Sequence, residues 1–334
     1  MAEQGDFFLC DIFDAAPKGD LASLEHPIFS LSTRPDRRVL DYTHNDARVT
    51  ITPSVKGRAT IHDKDILIFC ISQLVAALNA GRQVSRQLTL TAHDLLVATR
   101  RETSGDAYRR LRDAFERLAG TRITTNIATG PKDAPTETTT GFGLIESWQI
   151  VRKTPAHKKG GGRMVSVSVT LSDWLFRAVC ARSVLTLSRD YFSLRKPLER
   201  RLYELSRKHC GRQDAWVVSV ETLLKKSGSA SPRRVFRAMV REIIAGDLMP
   251  DYHLMELPGD KIQVSPRAGL VDRGTAGGPV LPPEAHDAAR ALAPGADVYA
   301  LEAEWRAYWA RSGRPVLRSP QAAFLGFVKK IGQE

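Results

Sequence analysis

The side chains best suited to chemistry in this sequence are arginines that recur along one short segment. Ser231 to about Ala245 has the apolar spacing of a helix, with Phe236, Met239 and Ile243 on one side. A guanidinium group is a planar fork of donors that fits phosphate oxygens and the edge of guanine. The spacing therefore predicts a nucleic-acid-binding face, and the alternative is a solvated basic face. The arginines spread over roughly 100° of the helix opposite the apolar side are Arg233, Arg234, Arg237 and Arg241.

The residues around this segment predict how it is presented. Ser231 has the short polar side chain of a helix N-cap, and Pro232 is favoured at a first helical position. A short helix, Glu221 to Lys226, precedes it, and a β-hairpin across Pro258-Gly259-Asp260 follows it. A helix pair followed by a hairpin is typical of a winged helix, whose second helix lies in the major groove of DNA. Which arginines would contact bases and which would contact phosphates stays open.

Two other predicted helices add basic residues. One runs from Leu194 to His209, with leucines inside and with Arg200 and Arg201 among the basic residues of its outer face. Another runs from Asp106 to Ala119, where carboxylates partly balance the arginines. We expect this helix to provide a supporting DNA contact or a dimer surface. The full set of predicted DNA-binding residues is Ser231, Arg233, Arg234, Arg237, Arg241, Arg195, Lys196, Arg200, Arg109, Arg110 and Arg112.

The net charge favours the same interpretation. The 334 residues include 49 Lys and Arg against 37 Asp and Glu, a formal net charge of +12. Between Arg182 and Arg241 there are 15 basic and 5 acidic residues, so a net charge of +10 lies in one segment. Basic domains often bind nucleic acid because neutralising phosphates releases counterions. This concentration of charge indicates a local binding surface rather than charge that serves solubility.

The motifs of common enzyme and metal sites are missing from the sequence. There is no GxxxxGK[ST] loop, no HExxH, no Gly-x-Ser-x-Gly and no pair of histidines separated by one residue. The four cysteines lack CxxC spacing, which predicts reduced thiols in a cytoplasmic protein. No apolar run approaches the roughly 18 residues of a membrane-spanning helix. We therefore expect a protein with no catalytic activity, no cofactor, no metal and no membrane contact.

The two halves of the chain follow one plan. A shift of 128 residues aligns Leu74 with Leu202 and Phe115 with Ile243, and each half has the order helix, strand, helix, turn, helix, hairpin. This order predicts a duplicated winged helix. Short strands are also predicted at residues 28–31, and at 121–127 and 143–150, where the last two would pair with each other.

These patterns predict an α+β fold with two tandem winged-helix domains and a short helical C-terminal appendage. The first domain would comprise residues 1–180 and serve dimerisation and supporting DNA contacts, and the second, residues 181–268, would read DNA. A linker rich in glycine and proline would follow at 269–283. Residues 284–334 would be helical and rich in aromatic side chains, and would either dock on the second domain or fold on a partner.

Several long blocks of the sequence carry a resemblance to a known family. They are Leu194–Gly211, His62–Leu74, His26–Ser32 and Thr52–Gly57, with Tyr299–Trp305 and Ser319–Phe324 in the tail. These blocks resemble the RepA-type plasmid replication initiators of alphaproteobacteria, and the similarity of the main part spans about residues 6–267.

The resemblance implies two winged-helix domains, of which the second inserts its recognition helix into repeated sites of double-stranded origin DNA and the first mediates dimerisation. It implies that monomers help to open the origin, that homodimers repress their own gene, and that a host helicase and a host initiator are recruited. Such a protein would act without catalysis in the bacterial cytoplasm, bound to plasmid or nucleoid. The alternative is a winged-helix transcriptional repressor without a replication role. A nicking endonuclease or primase would need the clustered carboxylates or paired histidines that are missing.

Overall fold

The chain divides into two compact units. The computed structural model describes residues 16–44, 47–127, 139–153, 163–210, 213–267, 281, 283–293, 298–311 and 319–331. One unit comprises Met1–Ala76 and Val84–Pro266, and the other comprises Ala77–Gln83 and Arg267–Glu334. No helix of the described part is both long enough and apolar enough to cross a bilayer. The expected linker lies almost wholly outside the described residues, and the boundary expected between residues 180 and 181 stays a prediction.

The first unit mixes helices and strands, as the sequence predicts. Its first part contains β1 (Lys18–Asp20), α1 (Leu21–Glu25), β2 (Leu40–His44), β3 (Ala47–Thr52), α2 (Lys64–Asn79, whose last residues belong to the second unit), β4 (Gln87–Thr91), α3 (Ala92–Ala98), α4 (Gly105–Gly120), β5 (Arg122–Thr125), β6 (Thr140–Gly143), β7 (Ile145–Lys153) and β8 (Arg163–Leu171). It continues with α5 (Asp173–Cys180), β9 (Val184–Thr186), a 3-10 turn (Arg189–Ser193), α6 (Pro197–Cys210), β10 (Trp216–Ser219), α7 (Val220–Ser227), α8 (Arg233–Gly246), β11 (Tyr252–Leu257) and β12 (Lys261–Pro266).

The described strands form four antiparallel sheets. A four-stranded sheet has the order β2-β3-β5-β6, and a small pair joins β1 to β9. Two three-stranded sheets have the orders β4-β8-β7 and β10-β12-β11. In each of the latter two, the last strand in the chain lies in the middle. Val167 in β8 lies opposite both Leu90 and Ile150, and Val264 in β12 lies opposite both Trp216 and Leu254.

The same succession of elements therefore occurs twice. The first is α2-β4-α3-α4-β7-β8, and the second is α6-β10-α7-α8-β11-β12. The extra strands β5 and β6 are inserted between α4 and β7, and β5 pairs with β3. The insertion shows why the strand pairing predicted for 121–127 with 143–150 is wrong, since β5 pairs with β6 while β7 pairs with β8. The strand predicted at 28–31 is reduced to a single bridge between Ser30 and Thr60.

The core around α6 unites residues from distant parts of the first unit. Leu202 and Leu205 on α6 belong to one buried cluster with Phe236 and Val240 on α8. The same cluster contains Leu24 and other residues that lie far earlier in the sequence. Because such burial supplies most of the favourable free energy of folding, α6 is the structural centre on which α7 and α8 are placed.

A buried ionic cluster lies at one side of α6. The carboxylate of Glu204 accepts hydrogen bonds from Lys64 Nζ at 2.7 Å, from the Tyr191 hydroxyl at 2.8 Å and from Arg201 Nη1 at 3.0 Å. The side chains of Lys64, Arg201 and Glu204 are 1–3% exposed. Arg201 also donates to the main-chain carbonyls of Ser23 and other residues of the α1 region. Burial lowers the pKa of both Lys64 and Arg201, so the fold depends on Glu204 to compensate two cations.

The second unit contains the C-terminal helices, in agreement with the helical tail that the sequence predicts. They are α9 (Pro283–Leu292), α10 (Val298–Arg311) and α11 (Pro320–Ile331). Trp305 and Phe324 lie in a buried cluster with Ala285, Leu301 and Val328, and the rings of Trp305 and Phe324 are 5.4 Å apart. These helices therefore bury a small core of their own.

The turn between α7 and α8 depends on a glycine. Gly228 ends α7 in the left-handed region with φ of 68°, and a Cβ built there would lie 2.6 Å from Cβ of Pro27. We expect Gly228→Ala to lower the free energy of unfolding by about 2–4 kcal/mol, because it adds left-handed strain to overpacking. Urea unfolding followed by circular dichroism measures the change.

Gly259→Ala is the matched control for the contact with Pro27. Gly259 also has a positive φ, 77°, but nothing lies within 4 Å of its built Cβ. Its substitution should cost only the conformational strain, about 1 kcal/mol. Equal destabilisation of the two variants would show that the contact with Pro27 contributes nothing.

Candidate nucleic-acid interface

The pair α7–α8 and the hairpin β11–β12 position the arginines that the sequence singled out. Ser219 caps α7, since its Oγ accepts a hydrogen bond from the N–H of Thr222 at 3.1 Å. On α8, Phe236 and Val240 are fully buried and Ile243 is 7% exposed. The predicted apolar face is thus present, and the arginines lie on the side of α8 that faces solvent.

The predicted start of α8 is wrong by one residue, and Ser231 is not its cap. The helix begins at Arg233 with Pro232 at the N-cap position, and no side chain caps it. Ser231 donates its backbone N–H to Oγ of Ser229 at 3.3 Å, and Ser229 donates in the same way to Ser227. The serines therefore shape the turn before α8, which leaves the proline ring at the cap.

Three of the four arginines on α8 are held by carboxylates of the hairpin. Arg233 and Arg237 both contact Asp260, which lies in the turn between β11 and β12. Arg241 forms a bidentate pair with Glu256 on β11, with both N–O distances at 2.8 Å. The hydrogen bond from Arg233 is the main cause that lowers the pKa of Asp260, and the hydrogen bond from Arg241 lowers the pKa of Glu256. Both carboxyl groups are therefore ionised at neutral pH and hold the guanidinium groups in place.

The fourth arginine, Arg234, is not held in this way. Its side chain is exposed, and no hydrogen bond or ion pair joins it to the described residues. Exposed ion pairs are weak in water, so the three paired guanidinium groups of α8 can exchange their carboxylates for an anionic ligand. Arg234 needs no exchange at all.

The arginines predicted on the first-half helix are exposed but paired with carboxylates of the same helix. On α4, Arg109 and Arg110 pair with Asp106, the latter at 3.0 Å, and Arg112 pairs with Glu116 at 3.3 Å. These arginine side chains are 55–74% exposed. The α4 surface thus has less uncompensated positive charge than α8.

The predictions at the start of α6 have different outcomes. Lys196 is exposed and lies 3.5 Å from Glu242 on α8, and Arg195 is exposed. Arg200 is only 4% exposed, which contradicts its predicted place on an outer basic face. Its Nη1 contacts Asp65 at 2.5 Å and its Nε donates to the carbonyl of Leu194 at 2.8 Å. Arg200 is therefore a structural residue and is not available to DNA.

The prediction for Arg201 is wrong for the same reason. Arg201 is 2% exposed and is committed to Glu204 and to main-chain carbonyls. Leu198, Leu202 and Leu205 account for only part of what α6 buries, since Tyr203 and both arginines are also covered. A helix buried on nearly all sides has no outer face over this stretch.

Some of the predicted residues meet in a groove that the sequence did not indicate. It has a volume of about 640 Å³ and is lined by the loop at 32–35, the segment from Lys56 to the start of α2, residues 99–102, α4 from Ala107 to Arg117, and the residues around the start of α6; we call it the α2–α4 groove. It brings Arg110 and Arg195 together with one edge of the buried Arg200. In the described part of the chain, no group of three or more His, Cys, Asp or Glu could hold a metal. Arg117, which the sequence places on the same helix as Arg110, also lines the groove, and the basic residues of the groove that sequence reasoning missed are Arg34, Lys56, Arg58, Arg100 and Arg101.

Comparison with known proteins identifies relatives over most of this architecture. The family model "Replication initiator protein A" matches residues 18–254, which include α8 and the first half of β11. A curated protein of Wigglesworthia glossinidia brevipalpis, named "Putative replication protein", is 35% identical over 251 residues, which cover 75% of this chain and 88% of that protein.

A solved structure shares the fold at low sequence identity. The crystal structure of domains 2 and 3 of RctB matches with a TM-score of 0.51 and 16% identity, covering 74% of this chain and 98% of that one. This similarity concerns the fold alone. The family match over most of the chain and the 35% identical relative agree with the resemblance carried by the sequence blocks. The chain therefore belongs to the replication initiator protein A family.

Proposed function

We propose that this protein initiates plasmid replication by binding repeated sites in double-stranded origin DNA, with α8 as the helix that reads the sequence. The observation that carries the proposal is the solvent-facing row of arginines on α8, opposite a buried stripe and beside the β11–β12 hairpin. Arginine forks suit both guanine edges and phosphates, so one helix face can provide specificity and affinity together.

The topology supports the assignment of α8 to the major groove. The succession α6-β10-α7-α8-β11-β12, with its sheet β10-β12-β11, has the order of a winged helix. In helix-turn-helix proteins, the second helix of the pair lies in the major groove. The hairpin would then lie close to the DNA backbone, where Asp260 and Glu256 would release the arginines to phosphates and bases.

The repeated succession in the first half supports a second winged helix with a different task. Its α4 occupies the place of α8 but has its arginines paired with acidic residues of the same helix. We assign this half to phosphate contacts and homodimerisation rather than to base reading.

Bound monomers would help to open the origin and to recruit a host helicase or a host initiator, and dimers would repress the protein's own gene. These steps require binding and no catalysis or cofactor from this chain.

Footprinting on DNA upstream of the protein's own gene tests the proposal. Several regularly spaced protected sites are expected for an initiator, together with replication of a circle carrying this region only when the protein is supplied. One protected palindrome and no dependence of replication on the protein would instead indicate a transcriptional repressor. Absence of any protected site would contradict DNA reading by α8.

The concentration of positive charge predicts a strong dependence of binding on salt. If six or more phosphates are neutralised, the logarithm of the association constant should fall with the logarithm of salt concentration with a slope of about −5 or steeper. Fluorescence anisotropy over a range of potassium chloride concentrations gives the slope. A slope near zero would exclude the arginine-rich surface as the DNA-binding surface.

A further inference from the structure

The α2–α4 groove is a feature of the described residues that the proposed DNA reading by α8 does not use. Its volume of about 640 Å³ lies in the range of roughly 300–1,000 Å³ usual for small-ligand sites. Nine Lys and Arg against four Asp and Glu line it, which gives a net charge of +5. His62 adds no charge at neutral pH, because burial lowers its pKa to about 4. Arg58 and Arg100 also pair with Asp36 and Asp190, which do not line the groove, and this leaves a net charge of +3 to attract an anion.

Every carboxylate that lines the groove already has a cationic partner within the described residues. The acidic side chains thus neither require a metal nor cancel the remaining positive charge. The pairs, separated by 2.5–3.6 Å, are Arg117–Asp63, Arg101–Asp65, Arg200–Asp65, Lys56–Asp113 and Arg110–Glu102.

Among the lining Lys and Arg without a carboxylate partner inside the groove, Arg58 is the buried one. This residue is 2% exposed, and only its Nη2 has an acceptor, Asp36 at 3.0 Å. Asp36 is shared with Arg38, which contacts it through two nitrogens at 2.9 Å. Nε and Nη1 of Arg58 are buried without an acceptor among the described residues. A buried cation with unsatisfied donors is unfavourable unless an anion completes its surroundings.

The backbone holds Arg58 in place before any ligand arrives. The N–H of Arg58 donates to the carbonyl of Asp36 at 2.8 Å. Gly57 has φ of 94°, and a Cβ there would lie 3.0 Å from the backbone of Pro35 and Asp36. Only glycine lets the two loops approach this closely, so Gly57 fixes the backbone next to Arg58. Arg34 and Arg195 line it as well, are exposed, and have no side-chain partner in the described part.

We propose that the α2–α4 groove binds a phosphoryl group, with Arg58 at its floor and Arg34 and Arg195 at its rim. A terminal phosphoryl group offers three oxygens to three separate guanidinium groups, whereas a carboxylate or a phosphodiester of the DNA backbone offers two. The group can come from a free nucleotide or inorganic phosphate, or from the backbone of bound DNA. This site is separate from α8, and the proposal does not depend on base reading by that helix.

Titration calorimetry of the full chain with inorganic phosphate and with ATP, at constant ionic strength set with chloride, tests the free-ligand source. Saturable binding is expected, with affinity reduced at least tenfold in the double variant Arg34→Ala/Arg195→Ala. Arg177→Ala, which removes an exposed arginine of α5 outside the groove, should bind like the parent. Arg58→Lys keeps the charge but removes the unsatisfied fork, and should also weaken binding; if it does not fold, the exposed double variant decides.

Duplex DNA tests the other source. If the parent binds neither phosphate nor ATP, the Arg34→Ala/Arg195→Ala variant should bind duplex DNA more weakly than the parent. The magnitude of its salt slope should be smaller by about one for each phosphate that is no longer neutralised. The proposal is overturned if no free ligand binds and the double variant matches the parent on DNA. Arg234→Ala/Arg237→Ala separates this outcome from failure of the proposed function, because it should reduce site preference and retain phosphate binding.

Discussion

Glu204→Gln is expected to lower the free energy of unfolding by about 3–5 kcal/mol, as found when one partner of a buried ion pair is removed. Glu204 is the shared carboxylate of Lys64 and Arg201, and all three side chains are 1–3% exposed. Glutamine keeps the shape but removes the negative charge, so two cations remain buried without compensation. The NH2 group of the glutamine would also lie against the donors of Lys64, Tyr191 and Arg201, where the parent has an accepting oxygen.

Glu242→Gln is the matched control for this substitution. Glu242 is 69% exposed and lies 3.5 Å from Lys196, so its substitution should change stability by no more than about 0.5 kcal/mol. Urea unfolding at neutral pH compares both variants with the parent. If Glu204→Gln unfolded at the same urea concentration as Glu242→Gln, the buried cluster would not stabilise the fold.

The helix α8 could be predicted from sequence because its signals are local. Apolar side chains at helical spacing, arginines on the opposite side and a preceding turn all lie within one short segment. The carboxylates that hold those arginines could not be predicted. Glu256 and Asp260 are brought to α8 by the folding of the hairpin, and their acidity gives no local sign of the pairing.

The errors on α6 have a physical cause in burial. An amphipathic pattern assigns charged residues to solvent, which holds when one side of a helix is covered. α6 is covered on nearly all sides, and Arg200 and Arg201 are stabilised there by Asp65, Glu204 and main-chain carbonyls. Asp65 lies 135 residues before Arg200, and the carbonyls of the α1 region lie more than 170 residues before Arg201. The sequence around α6 therefore does not reveal these acceptors.

The groove was missed for a related reason. Its lining residues lie between Ser32 and Arg200 in the sequence, in segments that are short and carry no motif of their own. The suitability of Arg58 for binding an anion depends on its burial and on which of its nitrogens lack an acceptor, and residue spacing does not reveal either property.

The order of the helices and strands could be predicted from local patterns, but the strand partners could not. The insertion between α4 and β7 brings β5 next to both β3 and β6.

Replacing both Arg234 and Arg237 by alanine is expected to weaken binding to the specific site by about 2–6 kcal/mol, since each arginine that reads a base contributes about 1–3 kcal/mol. Arg234 has no partner in the described residues, and Arg237 shares Asp260 with Arg233. Neither side chain belongs to the buried stripe of α8, so the variant should fold like the parent. Anisotropy with specific and unrelated duplexes at two salt concentrations measures the effect.

The roles of base reading and phosphate binding leave different signatures in that measurement. Removing an arginine that binds phosphate should weaken all duplexes alike and lower the salt slope by about one, whereas removing one that reads a base should reduce preference at particular base pairs. Arg109→Ala is the control, because Arg109 lies on α4 at the place equivalent to Arg237 and is paired with Asp106. It should leave base preference unchanged. A double variant that binds like the parent would exclude α8 as the reader, and a folded Arg109→Ala variant without base preference would transfer that role to α4.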